Sequence, residues 1–182
     1  AEISIDPYKQ IVNGIASFDF KPLRFETDSF NLSIPDMKIE KVLLGNDPVK
    51  YTAQNNTLTV YPALLDKASN YTLTINYQSF NPAYLYFSGW NDPKGIKRKQ
   101  IWAHRPFTWI PFLDDRLTVD MIVTFNAKYK VFSNGERVSV TNSGDTLSTW
   151  HYRMNKPHPF FSTALVIGDY DYQPLQASSG LP

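Results

Sequence analysis

Hydrophobic and polar positions alternate along much of this chain with a period of two. The clearest run is Tyr71-Thr72-Leu73-Thr74-Ile75-Asn76-Tyr77-Gln78, whose odd positions are apolar or aromatic and whose even positions are polar. Successive side chains of an extended strand point to opposite faces, so this run predicts a strand with one packed face and one wet face. Val12, Gly14, Ala16, Phe18 and Phe20 repeat the pattern, as do Val119, Met121, Val123 and Phe125. Further strands are expected at Leu23 to Asn31, Met37 to Leu44, Thr57 to Tyr61, Thr146 to Met154 and Phe160 to Tyr172. Turn-forming clusters separate them: Gly45-Asn46-Asp47-Pro48, Asn55-Asn56, Asn81-Pro82, Asn91-Asp92-Pro93, Asn134-Gly135 and Asn142-Ser143-Gly144-Asp145. Asn134-Gly135, between Val131-Phe132 and Val138, reads as a type I′ hairpin turn, because both central residues accept positive φ. Only Pro62 to Ser69 has helical spacing, through Leu64, Leu65 and Ala68, and then for a turn or two at most.

So many strands joined by short turns imply an all-β fold of two packed antiparallel sheets with almost no helix. The composition agrees, with 15% aromatic residues and 13 prolines. At 182 residues and 42% hydrophobic content the chain can build a sizeable core without disulfide or metal staples, and it has no cysteine to staple with. The missing cysteines also remove thiolate zinc sites and cysteine nucleophiles, while leaving the compartment undetermined. A net charge of +1 argues against a nucleic-acid partner, which selects for a basic excess. The longest apolar runs, such as Ala164 to Ile167, fall far short of the ~20 residues of a membrane-spanning helix. Lys94, Lys97, Arg98 and Lys99 gather beside Gly95, marking a long exposed loop from Pro93 to Lys99 between two lobes of one domain, or else a domain boundary there. Residues 1–173 are expected to form the β domain, and Pro174 to Pro182, where the alternation stops, a linker.

The residues that carry chemistry are sparse. His104, His151 and His158 do not form H-E-x-x-H, and no G-x-S-x-G elbow or glycine-rich phosphate loop occurs. No catalytic residue and no metal ligand set is therefore assigned. Asp114-Asp115 admits two readings: an acid/base or calcium site, or a turn in which Asp114 accepts backbone N–H bonds and pairs with Arg116 or a nearby Arg. Trp90, Trp102, Trp109 and Trp150, with Tyr84, Tyr86 and Phe87, could pack the core or line a surface that stacks on sugar or peptide. Trp102 and Trp109, flanking Arg105-Pro106, are the ones expected to be partly exposed. Three N-x-S/T triplets, at Asn31, Asn55 and Asn70, are of the number chance supplies in a chain this rich in Asn, Ser and Thr.

Gln100-Ile101-Trp102, Trp109-Ile110-Pro111-Phe112-Leu113-Asp114-Asp115 and Val131-Phe132-Ser133-Asn134-Gly135 occur in that order. They are followed by Trp150, by Pro157 to Phe161, and by Ala164-Leu165-Val166-Ile167-Gly168-Asp169-Tyr170. This series resembles the N-terminal domain of the M1-family zinc aminopeptidases, the family of aminopeptidase N and leukotriene A4 hydrolase. The likeness rests on Pro111, Asp114, Asn134, Gly135 and Gly168 as structural motif residues. Asp6-Pro7 through Gly14, Met37 to Val42, Leu58-Thr59-Val60 and Tyr71 to Tyr77 resemble the family's opening strands, so the likeness spans nearly the whole chain.

The resemblance implies a saddle-shaped antiparallel β-sandwich, itself non-catalytic, that packs on a downstream thermolysin-like domain. The zinc, its H-E-x-x-H ligands and the G-x-M-E-N segment would belong to that later domain, and no cofactor to this one. The partners implied are that catalytic domain and a peptide substrate. The family's first domain contributes a Gln or Glu that holds the substrate's amino terminus. At the matching place stands Ala103-His104-Arg105-Pro106, with His104 in the glutamine position, making Trp102, His104 and Arg105 the substrate-edge candidates. Arg116 and Phe112 stand where the family has proline and cysteine. Two alternatives remain open: an independent carbohydrate- or peptide-binding module, and a non-peptidase relative that reuses the scaffold.

Overall fold

The structure, a computed structural model, describes residues 1–23, 28–91, 95, 98–171 and 173. Its strands in chain order are β1 (Glu2–Asp6), β2 (Ile11–Phe20), β3 (Phe30–Ser33), β4 (Met37–Leu44), β5 (Asp47–Pro48), β6 (Lys50–Gln54), β7 (Thr57–Tyr61) and β8 (Tyr71–Phe80). The second half contributes β9 (Tyr86–Ser88), β10 (Gln100–Ala103), β11 (Arg116–Asn126), β12 (Lys130–Ser133), β13 (Glu136–Ser143), β14 (Leu147–Pro159) and β15 (Leu165–Gly168). The all-β expectation holds. The one helical element among the described residues is a single 3-10 turn at Phe160–Ser162.

The sheets differ in number and sense from the simplest expectation. Among the described residues there are three: an eight-stranded sheet in the order β13-β14-β11-β1-β2-β8-β4-β5, a four-stranded sheet β12-β15-β10-β9 and a three-stranded sheet β3-β7-β6. The large sheet is mixed, because β1 lies parallel to β11 while β2 runs antiparallel to β1 on its other side. A parallel neighbour cannot be reached through a short hairpin, so this pairing joins chain segments more than a hundred residues apart and is invisible to local periodicity.

The alternation read from the sequence sorts the faces of the large sheet. Leu73, Ile75, Tyr77 and Ser79 of β8 are buried, and so are Met121, Val123 and Phe125 of β11. Against this inner face lie Leu58 and Val60 of β7 and Leu32 of β3 from the three-stranded sheet. Ile101, Val131, Leu165 and Ile167 from the four-stranded sheet join them in one continuous apolar core. Each such side chain contributes about 1.5–3 kcal/mol on burial. Both small sheets thus owe their position to the same apolar face.

Four local expectations are corrected. Pro62 to Ser69 is not a helix: Leu64 is 71% exposed and Leu65 only 4%. The chain turns instead on Asp66, whose carboxylate accepts the N–H of Ala68 and whose own N–H donates to the Tyr71 hydroxyl. Side chains that capture nearby backbone groups in this way compete with helix formation. Asn134-Gly135 does not close a hairpin, because β12 pairs with β15 and β13 with β14, so the chain crosses between sheets there. Gly135 takes φ +86° while Asn134 stays out of the positive region. The type I′ signature appears instead at Asn55-Asn56, with φ of 50° and 61°, between the paired strands β6 and β7.

The strand expected from Phe160 to Tyr172 is reduced to β15, and the one expected from Leu23 to Asn31 begins at Phe30 and runs on to Ser33. Arg24 to Thr27 of that strand, most of the Pro93 to Lys99 loop and the expected linker from Pro174 lie outside the described residues.

Candidate functional site

The candidate site is the outer face of the four-stranded sheet. In β10 the side chains of Ile101 and Ala103 turn into the core, which leaves Gln100 and Trp102 on the opposite face. Trp102 lies opposite Tyr86 of β9 on one side and Val166 of β15 on the other, and Val166 lies opposite Phe132 of β12. One row across this sheet is therefore Phe132, Val166, Trp102 and Tyr86. All four are apolar or aromatic, none is buried, and Trp102 and Tyr86 are 41% and 40% exposed.

Three rings in this patch are stacked. The Tyr86 and Trp102 centroids are 4.3 Å apart with an interplanar angle of 21°. His104 lies 6.1 Å from Trp102 and 6.4 Å from Tyr86, and its ring is within 6° of parallel to the tyrosine. Cross-strand aromatic pairs of this geometry contribute about 0.5–1.5 kcal/mol beyond their buried area, so the rings hold one another in place. Tyr86 and Trp102 each spend one face on the other.

The remaining sequence candidates are placed as follows. Arg105 is exposed, and its carbonyl accepts the indole N–H of Trp109 at 2.7 Å. Trp109 itself is 0% exposed, against the expectation of partial exposure. Its carbonyl accepts the Tyr77 hydroxyl, and the turn beginning at Pro106 carries its N–H, so the Pro-rich stretch packs inward. Trp90 and Trp150 are also buried.

Four of the motif residues, Pro111, Asn134, Gly135 and Gly168, sit in close contacts. Pro111 is buried beside Phe112, whose N–H and C=O both pair with Ser33 and tie this segment to β3. The side chain of Asn134 bridges to the end of the 3-10 turn and the residue just beyond it, donating to the Ser162 carbonyl at 3.2 Å and accepting the Ala164 N–H at 2.6 Å. A Cβ at Gly135 would collide with the backbone of Arg153, and one at Gly168 would collide with the ring of Tyr170. The close approach of Tyr170 to Gly168 lets that ring reach Phe132 edge-on, with centroids 6.2 Å apart.

Of the two acids, it is the Asp115 carboxylate that accepts the Arg116 N–H, at 2.6 Å, while the Arg116 guanidinium donates to the Pro157 carbonyl. Asp114 is exposed, and the expected pairing with Arg116 is replaced by that carbonyl contact. Among the described residues no three His, Asp or Glu side chains converge in a group that could hold a metal ion. His158 is buried, 3.4 Å from the Thr163 hydroxyl, and His151 is engaged with Asp120.

Sequence reasoning named Trp102, His104 and Tyr86 but could not join them. The signal that unites them is the register between β9 and β10, and register is a tertiary property.

No family model matches the chain, and no curated protein matches it. Its backbone does match solved structures. Leukotriene A4 hydrolase from yeast, in complex with bestatin, superposes over 95% of this chain with a TM-score of 0.75 and 16% identity. The M1 zinc metallopeptidase of Deinococcus radiodurans superposes over 92% with a TM-score of 0.74 and 15% identity. The chain spans 28% of the length of the first and 40% of the second. It therefore has the β fold contained in these larger proteins.

Proposed function

We propose that this chain is the non-catalytic β domain of an M1-type zinc metallopeptidase, packed on a catalytic domain of the same protein and shaping the entrance for peptide. Three observations support the reading. The motif series from Gln100 to Tyr170 runs in the family's order. The fold is that found within leukotriene A4 hydrolase and the Deinococcus metallopeptidase. The observation that carries most is the row of exposed Tyr86 and Trp102 beside half-buried Val166 and Phe132, with His104 stacked next to it. Exposed aromatic side chains held together on a sheet face mark an interaction surface, and three of these rings carry polar groups that a peptide can use. In this reading the zinc sits on the catalytic domain, and Trp102, His104 and Arg105 line the approach to it.

The stacking of Tyr86 on Trp102 weighs against a carbohydrate-binding module. A sugar platform needs free aromatic faces, and here the two best candidates cover one another at 4.3 Å.

The test is made on the chain extended to its natural C-terminus, assayed for chelator-sensitive release of N-terminal residues from peptides. The reading expects such activity, and expects His104→Ala to raise KM while leaving the melting temperature nearly unchanged. A full-length protein without zinc-dependent peptidase activity would overturn the peptidase assignment. An unchanged KM with a lowered melting temperature would restrict His104 to a structural role.

A further inference from the structure

The three sheets end in free or covered edges, and these edges are unequal. In the large sheet β5 is two residues long and ends in Pro48, which has no N–H to offer. The outer strands of the four-stranded sheet, β12 and β9, have four and three residues. In the three-stranded sheet, β3 is bridged at Ser33 by Phe112, and β6 carries Lys50. Short strands, proline, lysine and covering segments are the usual means by which an edge is kept from pairing with another chain.

β13, the other edge of the large sheet, lacks most of these protections. It is eight residues long, every residue is exposed, and it contains neither proline nor lysine. A bulge between Arg137 and Ser139 interrupts its start, after which Ser139 to Ser143 pairs regularly with β14. Val138 and Val140 are 50% and 41% exposed.

We propose that β13 is a pairing edge through which two copies of this chain join their large sheets antiparallel about a two-fold axis at Val140. This is independent of the peptidase reading. The occupant follows from the strand's own sequence. Its two charged residues, Glu136 and Arg137, both stand at its beginning, and Ser139 to Ser143 is neutral. A two-fold antiparallel partner carries its own charged pair to the far end of the joint, so like charges never face each other. A parallel copy would set glutamate against glutamate. Centred on Val140, the pairing matches Val140 with its own copy and Ser139 with Thr141, β-branched or hydroxyl side chains suited to cross-strand contact.

The experiment is sedimentation velocity on the 182-residue chain over a concentration series. The proposal expects a reversible dimer in the wild type, and weakening by about tenfold or more in both Val140→Lys and Val140→Glu, each of which sets like charges together at the axis. An equimolar mixture of the two variants is expected to dimerise again, because lysine then meets glutamate. Circular dichroism shows whether each variant keeps its fold, as an exposed position should allow. A chain that stays monomeric at about 1 mM overturns the proposal. So does a dimer indifferent to both substitutions, or a mixture that remains monomeric.

Discussion

The hydroxyl of Tyr77 donates to the main-chain carbonyl of Trp109 at 2.8 Å, and both residues are fully buried. This bond ties the large sheet to the Pro-rich segment that follows β10, and burial pushes the phenol far above its ordinary pKa, so it stays a neutral donor. Tyr77→Phe would leave the Trp109 carbonyl without that donor inside the core, at a cost of about 1–3 kcal/mol. Urea denaturation checks this, with a lower midpoint and an unchanged slope expected. Gly14, opposite Tyr77 on β2, leaves the room its ring occupies, because a Cβ there would run into the phenol. Gly14→Ala is therefore expected to destabilise by a similar or larger amount despite its small size.

Asn134 and Gly135 hold the crossing between β12 and β13. Asn134→Asp keeps the acceptor for the Ala164 N–H but loses the donor to the Ser162 carbonyl, whereas Asn134→Ala loses both. The expected order of stability is wild type, then Asp, then Ala, with about 1–2 kcal/mol between the ends. Gly135→Ala should be worse than either, because it combines φ +86° with a collision against backbone that cannot rotate away. Thermal melts of the variants test the ranking.

Asp120 predicts an acid-limb effect. Burial works against its carboxylate, but hydrogen bonds from His151 at 2.5 Å and Arg153 at 2.8 Å outweigh it and hold the pKa below the ordinary value of 3.8. A depressed folded pKa stabilises the fold above the unfolded value, and the gain disappears as pH falls through the folded one. The carboxylate is 46% exposed, so solvent screening keeps the effect under about 1 kcal/mol. Asp120→Asn should be less stable than wild type at pH 6 and converge with it as the pH falls through the depressed pKa of the folded carboxylate. Urea midpoints measured across that range decide the matter, and a gap that stays constant with pH would disprove the role.

Trp150 carries the one buried side-chain polar atom, among the described residues, that lacks a hydrogen-bond partner, its indole nitrogen. Trp150→Phe removes that desolvated donor together with some apolar contact, so the two changes oppose each other. The expected loss is about 1 kcal/mol or less, well below the 3–5 kcal/mol typical of truncating a buried tryptophan to alanine. Comparing Trp150→Phe with Trp150→Ala by thermal melts checks it.

The chain's periodicity determined several of the longer strands and which side of each is wet. β2, β4, β7, β8 and β11 fall where alternation places them, because a strand's facing pattern is written in consecutive residues. At Gly135 and Gly168 a Cβ would meet the backbone of Arg153 and the ring of Tyr170, neighbours that the sequence alone does not name. What depends on distant residues was decided by the tertiary structure. The parallel contact of β1 with β11, the division into three sheets, and the crossing at Asn134 that looked like a hairpin are all choices of partner. Such choices are settled by which apolar faces can share a core. Trp102 and Trp109 make the same point, since both sit beside one Pro-rich stretch. Only the register of β9 on β10 left Trp102 on the outer face against Tyr86, and only the Tyr77 and Arg105 hydrogen bonds drew Trp109 into the interior.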